Sequence, residues 1–122
     1  MTLDEIRSAF IGVGVTTPII IGAVDEKKTS AIFIPTQVPT SNISIGGLAS
    51  YEVCTAQLIY RGTNNYKDTE AQALLKLPQT PVTVRVNGFS YYIVPTQSGF
   101  VNLGIQAGAY ELVRYYEARK QQ

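Results

Sequence analysis

The chain has 122 residues, of which 45% are hydrophobic and only 16% are charged, and its formal net charge is +1. Its ten Lys and Arg residues are scattered, which excludes the basic stripe typical of tight DNA or RNA binding. The absence of His excludes a Ser-His-Asp triad, a Cys-His pair and an ordinary zinc site. We therefore predict that the chain is not an enzyme and uses no cofactor.

Length and local composition also limit where the protein acts. The length fits one domain, residues 1–122. A single Cys excludes an intrachain disulfide and fits a reducing compartment. Residues 1–11 contain two acidic residues and no long apolar run, so we predict no signal peptide. The apolar runs are far shorter than the ~20 residues of a membrane helix, so we expect no membrane association.

The first predicted element is a short helix at about residues 3–10. Thr2 and Glu5 have capping-box spacing, with a hydroxyl at the cap and a carboxylate three residues later. Ile6 and Phe10 fall on one helical face. Gly12 then ends the helix, because glycine favours the conformation that follows a last helical turn.

Two short β-type runs come next. The runs Pro18–Val24, which contains Ile19–Ile21, and Ala31–Ile34 are apolar, and the charged segment 25–29 separates them. Two such runs around a polar turn predict an antiparallel hairpin.

The segment from about 35 to 50 differs in composition from its surroundings, because it holds two Pro, two Gly and many small polar residues. We interpret it as a long loop or a loosely paired arm. Its apolar residues either pack onto their own domain or become ordered against a neighbouring protein. We take these apolar residues as candidate interface residues: Val38, Ile43, Ile45 and Leu48.

Residues 51–60 contain no breaker and predict a long strand with apolar residues on both faces, which is typical of a central strand. Cys54 lies within it and is expected to be a core residue rather than a nucleophile. Arg61–Thr63 are interpreted as a turn. A helix from about 66 to 77 follows and ends before Pro78.

The strongest local signal is Asn87-Gly88 between two alternating runs, 82–86 and 89–94. A two-residue type I′ turn requires positive φ at both central residues, which Asn and Gly tolerate best. Such a turn pairs Val86 with Phe89 and places the apolar residues of both strands on one face. Turn and alternation therefore predict the same hairpin register.

The last predicted elements are an extended piece at 100–105 and a run from 109 to 119. The alternation in the latter favours a strand, although its composition also permits a helix. Residues 119–122 are interpreted as a polar tail. A strand at 110–118 could offer an edge to a partner, and Tyr110 and Tyr115 are candidate interface residues within it.

These elements predict an α+β fold. We expect one antiparallel-dominated sheet, or a mixed one, with two helices packed on one face.

The order of elements resembles the tail terminator proteins of long-tailed bacteriophages, a family also described as tail completion, head–tail joining or minor capsid proteins. The likeness lies in the strand ending at Ile59-Tyr60-Arg61-Gly62, the helix from Tyr66, and the hairpin that follows it. It continues in Phe100-Val101-Asn102-Leu103-Gly104 and the strand Tyr110–Tyr116. Order and length match over nearly the whole chain, but the motifs are diffuse because none of their residues does chemistry.

The resemblance implies a structural virion protein that forms a ring, usually six-fold, at the head-proximal end of the tail tube. Such a ring stops tube growth and joins the tail to the head connector. Its partners would be further copies of itself, the tail tube protein and a head completion or connector protein. DNA would pass through the lumen without specific binding. Assembly would take place in the host cytoplasm.

Two other functions remain open from the sequence. The chain could be a different component of the head–tail junction, such as a head completion protein. It could also be a small module that binds a peptide by strand addition.

Overall fold

A computed structural model of the chain describes residues 1–35, 40–45, 49–63, 75–96 and 101–121, with 40–45 and 49–50 as backbone alone. These residues form a mixed α+β fold with one helix and one eight-stranded sheet. The elements are α1 (Leu3–Gly12), β1 (Ile19–Ile21), β2 (Ala31–Ile34), β3 (Thr40–Ile45), β4 (Ala49–Gly62), β5 (Val82–Val86), β6 (Phe89–Pro95), β7 (Val101–Gln106) and β8 (Ala109–Gln121).

Helix α1 begins at the predicted capping box. The Glu5 amide donates to the Thr2 hydroxyl at 3.2 Å, and the Thr2 amide donates to the Glu5 carboxylate at 3.3 Å. The helix buries Ile6, Ala9 and Phe10 on one face and extends to Gly12. The predicted helix is therefore confirmed, with an end two residues later.

Strands β4 and β8 form the centre of the sheet. They pair antiparallel from Tyr51 opposite Gln121 to Gly62 opposite Tyr110. The outer side of β4 carries β3 and β2, and the outer side of β8 carries β7 and β6. The predicted central strand and the predicted last strand are both confirmed. The polar tail is corrected, because β8 continues to Gln121.

The predicted hairpin of β1 and β2 is wrong, because these strands are parallel, with Ile19 opposite Ile32 and Ile21 opposite Ile34. The connection turns at Gly22 (φ +133°) and Ser30 (φ +57°). A strand of three residues is only about 10 Å long, so nine residues suffice to bring the chain back to its start.

The hairpin of β5 and β6 has the predicted register, with Val86 opposite Phe89 and Val82 opposite Ile93. Asn87 and Gly88 have φ of +52° and +82°, as a type I′ turn requires. α1 lies close above β5. A Cβ at Gly12 would come within 2.8 Å of Val84 Cγ2, so glycine permits this approach.

The main core lies between α1 and one face of the sheet. Phe10 packs edge-to-face on Tyr116, with ring centroids 5.1 Å apart. Cys54 is 2% exposed in this core, which confirms its predicted burial. α1 contacts both β1 and β5, the two ends of the main strand order. The sheet therefore curls around the helix.

Three further predictions concern the segments between these strands. Within 35–50, Thr40–Ile45 form β3, which pairs with 49–54 of β4, so this part is a paired strand, in line with the alternative of a paired arm and not with a loop. The predicted turn at 61–63 is corrected, because Arg61 and Gly62 belong to β4. Most of the predicted helix at 66–77 lies outside the described residues. Within it, Leu75 is helical and is buried with Leu77 in the core.

Candidate assembly interface

Strand β7 is an edge strand with apolar side chains open to solvent. It pairs with β8 on one side, and the described part of the chain places no strand on its other side. Val101, Leu103 and Ile105 are exposed by 45%, 45% and 64%. Its sequence, Val-Asn-Leu-Gly-Ile-Gln, contains no charge and no proline. Unpaired backbone groups and apolar side chains are therefore available at the same edge.

A β-bulge shapes this strand. Asn102 lies opposite Leu112 and Gly104 lies opposite Glu111, so Leu103 is an extra residue between two pairs. The Gly104 amide donates to Asn102 Oδ1 at 2.7 Å, and Gly104 has a φ of +71°. Beyond the bulge the side chains change face, since one residue has been inserted. Consequently β7 presents apolar residues on both of its faces.

A tight turn joins β7 to β8. Its two central residues, Ala107 and Gly108, have φ of +49° and +84°, the sign pattern of a type I′ turn. Positive φ strains an alanine, so other contacts must stabilise this turn.

The side chain of Arg61 supplies such contacts. It is 1% exposed, and its Nη2 donates to the carbonyls of Ala107 at 2.7 Å and Glu26 at 3.0 Å. Its Nη1 donates to the Gln106 carbonyl and to Glu111 Oε2, the latter at 2.9 Å. Arg61 and Glu111 face each other directly across β4 and β8. One guanidinium thus joins the centre of the sheet, the β7–β8 turn and the loop after β1.

The predicted interface tyrosines lie beside this edge, not on it. Tyr110 is half-buried opposite Ile105 of β7, whereas Tyr115 is half-buried on the other face, where its hydroxyl accepts from Gln57 Nε2 at 3.2 Å. The prediction that 110–118 offers a free edge is wrong. β8 pairs with β4 on one side and with β7 and β6 on the other, so its backbone is internal.

The predicted arm residues are only partly within the described chain. Val38 and Leu48 lie outside it. Ile43 and Ile45 belong to the backbone of β3, opposite Tyr51 and Ala49 of β4. In the described chain β3 has no strand on its outer side, and it lies at the edge of the sheet opposite to β7.

The sequence predicts that 100–105 is extended, but it does not mark this run as an interface. The available signal was the alternation of Val101, Leu103 and Ile105 in a run without charge. Arg-Gly-Thr is typical of a turn, so the sequence also predicts that Arg61 lies in one. Its partner Glu111 lies fifty residues further along the chain, and no local pattern connects the two.

A groove of about 350 Å³ lies elsewhere on the sheet, lined by residues of β4, β5, β6 and β8. It contains Arg119, whose Nε donates to Glu117 at 2.6 Å. It also contains Tyr91, whose pKa is raised by burial and by its hydrogen bond to Glu5. Its residues are Tyr51, Val53, Thr83, Ser90, Tyr91, Tyr92, Arg119 and Gln121, a set of mainly neutral side chains suited to hydrogen bonding and packing.

Other chemical groups of the described residues give no comparable site. Burial raises the pKa of the Cys54 thiol to about 11, so little thiolate forms at neutral pH. No group of three or more His, Cys, Asp or Glu in the described ranges could hold a metal ion. Across the same ranges, no helix has the length and apolar character needed to cross a membrane.

Among the described residues, strand β7 therefore combines an open sheet edge with exposed apolar side chains. Comparison of the chain with protein-family models, with curated proteins and with solved structures gave no match.

Proposed function

We propose that this protein is a structural subunit that associates with copies of itself through the β7 edge. In its most specific form, the proposal is a tail terminator ring at the head-proximal end of a phage tail tube, within the virion. The ring would stop tube growth and join the tail to the head connector. The β7 edge supports the self-association, and the order of elements in the sequence supports the phage assignment.

The composition of β7 is the observation that carries the proposal. Exposed edge strands are usually protected by Lys, Pro or a covering element, because they otherwise pair with other chains. β5, the edge strand next to β6, carries the exposed Arg85. β7 contains neither Lys nor Pro, no element of the described part of the chain covers it, and its bulge leaves Val101, Leu103 and Ile105 exposed. An edge of this kind is suited to a permanent protein contact.

A closed ring needs two different surfaces on each subunit, because its contacts run head to tail. β7 and β3 meet this requirement, since they are six-residue strands at opposite edges of one sheet. We propose that β7 of one subunit lies against β3 of the next. This contact would bring Ile43 and Ile45 of the arm into the interface.

Light scattering at rising protein concentration tests the self-association. A six-fold ring of the 13.3 kDa chain would have a mass of about 80 kDa. Negative-stain images would show the ring, and a pull-down with the tail tube protein would identify its partner. A protein that stays monomeric at high concentration and does not bind the tube protein would contradict the proposal.

Ile105→Lys tests whether β7 is the contact. Its side chain is 64% exposed, so the change should leave the monomer folded while placing a charge in the interface. Loss of a central apolar contact typically costs about 2 kcal/mol, which corresponds to a dissociation constant about 30-fold higher. Ile11→Lys is the matched control, because Ile11 is 55% exposed on α1, away from β7. Equal association of both variants would exclude the β7 edge.

The same edge supports a second candidate function, a module that binds an extended peptide by strand addition. A monomer that captures an extended peptide through β7 would favour this alternative. Binding to the head connector without binding to the tube would instead favour a head completion protein.

A further inference from the structure

We infer that Arg61 is a positioning residue that holds β7 in the conformation needed for assembly. The inference rests on the proposed function, because it assigns a role to a side chain that lies behind the proposed contact.

The first argument is the distribution of the acceptors around Arg61. Two of them, the carbonyls of Gln106 and Ala107, lie where β7 enters its turn. A third, the carbonyl of Glu26, belongs to the loop between β1 and β2, and the fourth is the Glu111 carboxylate of β8. The planar guanidinium fixes the directions of these hydrogen bonds as well as their distances. The turn is therefore held from inside the sheet.

The second argument is that β7 has few other contacts to hold it. None of its residues is buried, so little apolar packing fixes the strand to the body of the protein. Among the residues that the structure describes, it is joined to the sheet on one side only, by its pairing with β8. A strand of this kind frays easily, because its local opening exposes little additional apolar surface.

The third argument concerns energetics. Buried ion pairs often contribute little net stability compared with apolar side chains of the same size, because both charges lose their hydration. Arg61 is 1% exposed and Glu111 is 9% exposed, so this pair bears that cost. What the pair provides in return is a defined geometry. The hydrogen bonds of Arg61 thereby fix the conformation of the turn between β7 and β8, at the end of the exposed edge strand.

The consequence is that contact and positioning are assigned to two different strands, β7 and β4. Val101, Leu103 and Ile105 make the contact with the next subunit, whereas Arg61 makes no contact with it. Arg61 instead lowers the entropy that β7 would lose on binding, because the free strand already has its bound shape.

Arg61→Lys is the test. An ammonium is compact and cannot reach both turn carbonyls and Glu111 with the geometry of a guanidinium. At protein concentrations too low for association, the rate of amide hydrogen exchange in β7 should rise about tenfold or more. The exchange rates at Ala56 and Leu58 in the centre of β4 should stay unchanged. The dissociation constant of the assembly should rise by a similar factor. Arg85→Lys on β5 is the control and should change neither quantity.

A covalent rescue distinguishes positioning from a general loss of stability. Val101 lies opposite Val113, and paired residues of antiparallel strands have Cα distances that a disulfide can span. Because Val101 also belongs to the proposed contact, the reference is the protein with Val101→Cys and Val113→Cys that keeps Arg61. When Arg61→Lys is added to this pair, association should equal that of the reference in the oxidised state and should be weaker in the reduced state. If Arg61→Lys does not fold, Glu111→Gln provides the milder test, since it removes the charge and keeps the size.

The outcomes separate the two proposals. If the unchanged protein does not associate, the proposed function is wrong, and β7 exchange in Arg61→Lys still decides whether Arg61 positions the strand. Unchanged β7 exchange would overturn the inference. Faster β7 exchange with an unchanged dissociation constant, or failure of the oxidised rescue, would also overturn it.

Discussion

Glu5 ties helix α1 to strands β6 and β8. Its Oε2 accepts from the Tyr91 hydroxyl and from Lys120 Nζ, both at 2.7 Å, while its Oε1 completes the capping box with the Thr2 amide. Burial opposes ionisation of this carboxyl, but the hydrogen bonds from Lys120 and Tyr91 outweigh it and lower its pKa from 4.5 to about 2. Glu5→Gln should therefore destabilise the protein in a pH-dependent way.

The expected magnitude follows from this pKa. A fall from 4.5 to about 2 corresponds to about 3 kcal/mol, at about 1.4 kcal/mol per pH unit. The side chain is 29% exposed, so solvent screens part of the interaction and we expect Glu5→Gln to cost about 2 kcal/mol at pH 7. Because the pKa is lower in the folded state, the contribution is complete above about pH 5 and is lost as the pH falls towards 2.

Urea unfolding followed by circular dichroism at pH 7 and pH 3 measures this effect. The difference in free energy of unfolding between the natural protein and Glu5→Gln should shrink to less than about 1 kcal/mol at pH 3. Asp4→Asn is the control, because Asp4 is 74% exposed in its pair with Arg7 and should contribute less than about 1 kcal/mol. A difference of equal size at both pH values would refute the reasoning.

Two further predictions concern the β5–β6 turn and the thiol. Gly88→Val should lower the free energy of unfolding by about 1–2 kcal/mol, since Gly88 has a φ of +82° that strains a valine. An unchanged urea midpoint would show that valine is not strained at this position of the turn. At pH 8, Cys54 should react with a thiol reagent about 100-fold more slowly in the folded protein than in urea, because its pKa of about 11 leaves little thiolate. Comparable rates would contradict its burial.

The elements predicted correctly from sequence are those whose local signals agree. Asn87-Gly88 fixes both the turn and the register of β5 and β6, and the alternation on either side repeats that information. The capping box of Thr2 and Glu5 likewise defines the start of α1 without help from distant residues. Polar and apolar residues alternate along β8, and this alternation predicts a strand. In a strand alternating residues lie on two opposite faces, whereas a helix would not separate them in this way.

The features that sequence reasoning missed depend on contacts between distant segments. Nothing in Ile19–Ile21 or Ala31–Ile34 indicates whether the two strands run parallel, because that depends on how a nine-residue connection returns. Which strand is left at the edge is decided by the pairing of the whole sheet. β8 has the more pronounced apolar pattern, yet in the described chain β8 is paired on both sides and β7 on one side only. The candidate interface therefore required the three-dimensional arrangement.

The long pairing of β4 with β8 has a consequence for how the chain folds during synthesis. Its partners are 48 to 70 positions apart, from Gly62 with Tyr110 to Tyr51 with Gln121. Contacts of such high sequence separation form slowly, since the intervening loop must close first. The middle of the sheet cannot form on the ribosome until β8 has emerged. Until then one side of β4 stays unpaired, and nascent chains on neighbouring ribosomes are at risk of aggregating through it.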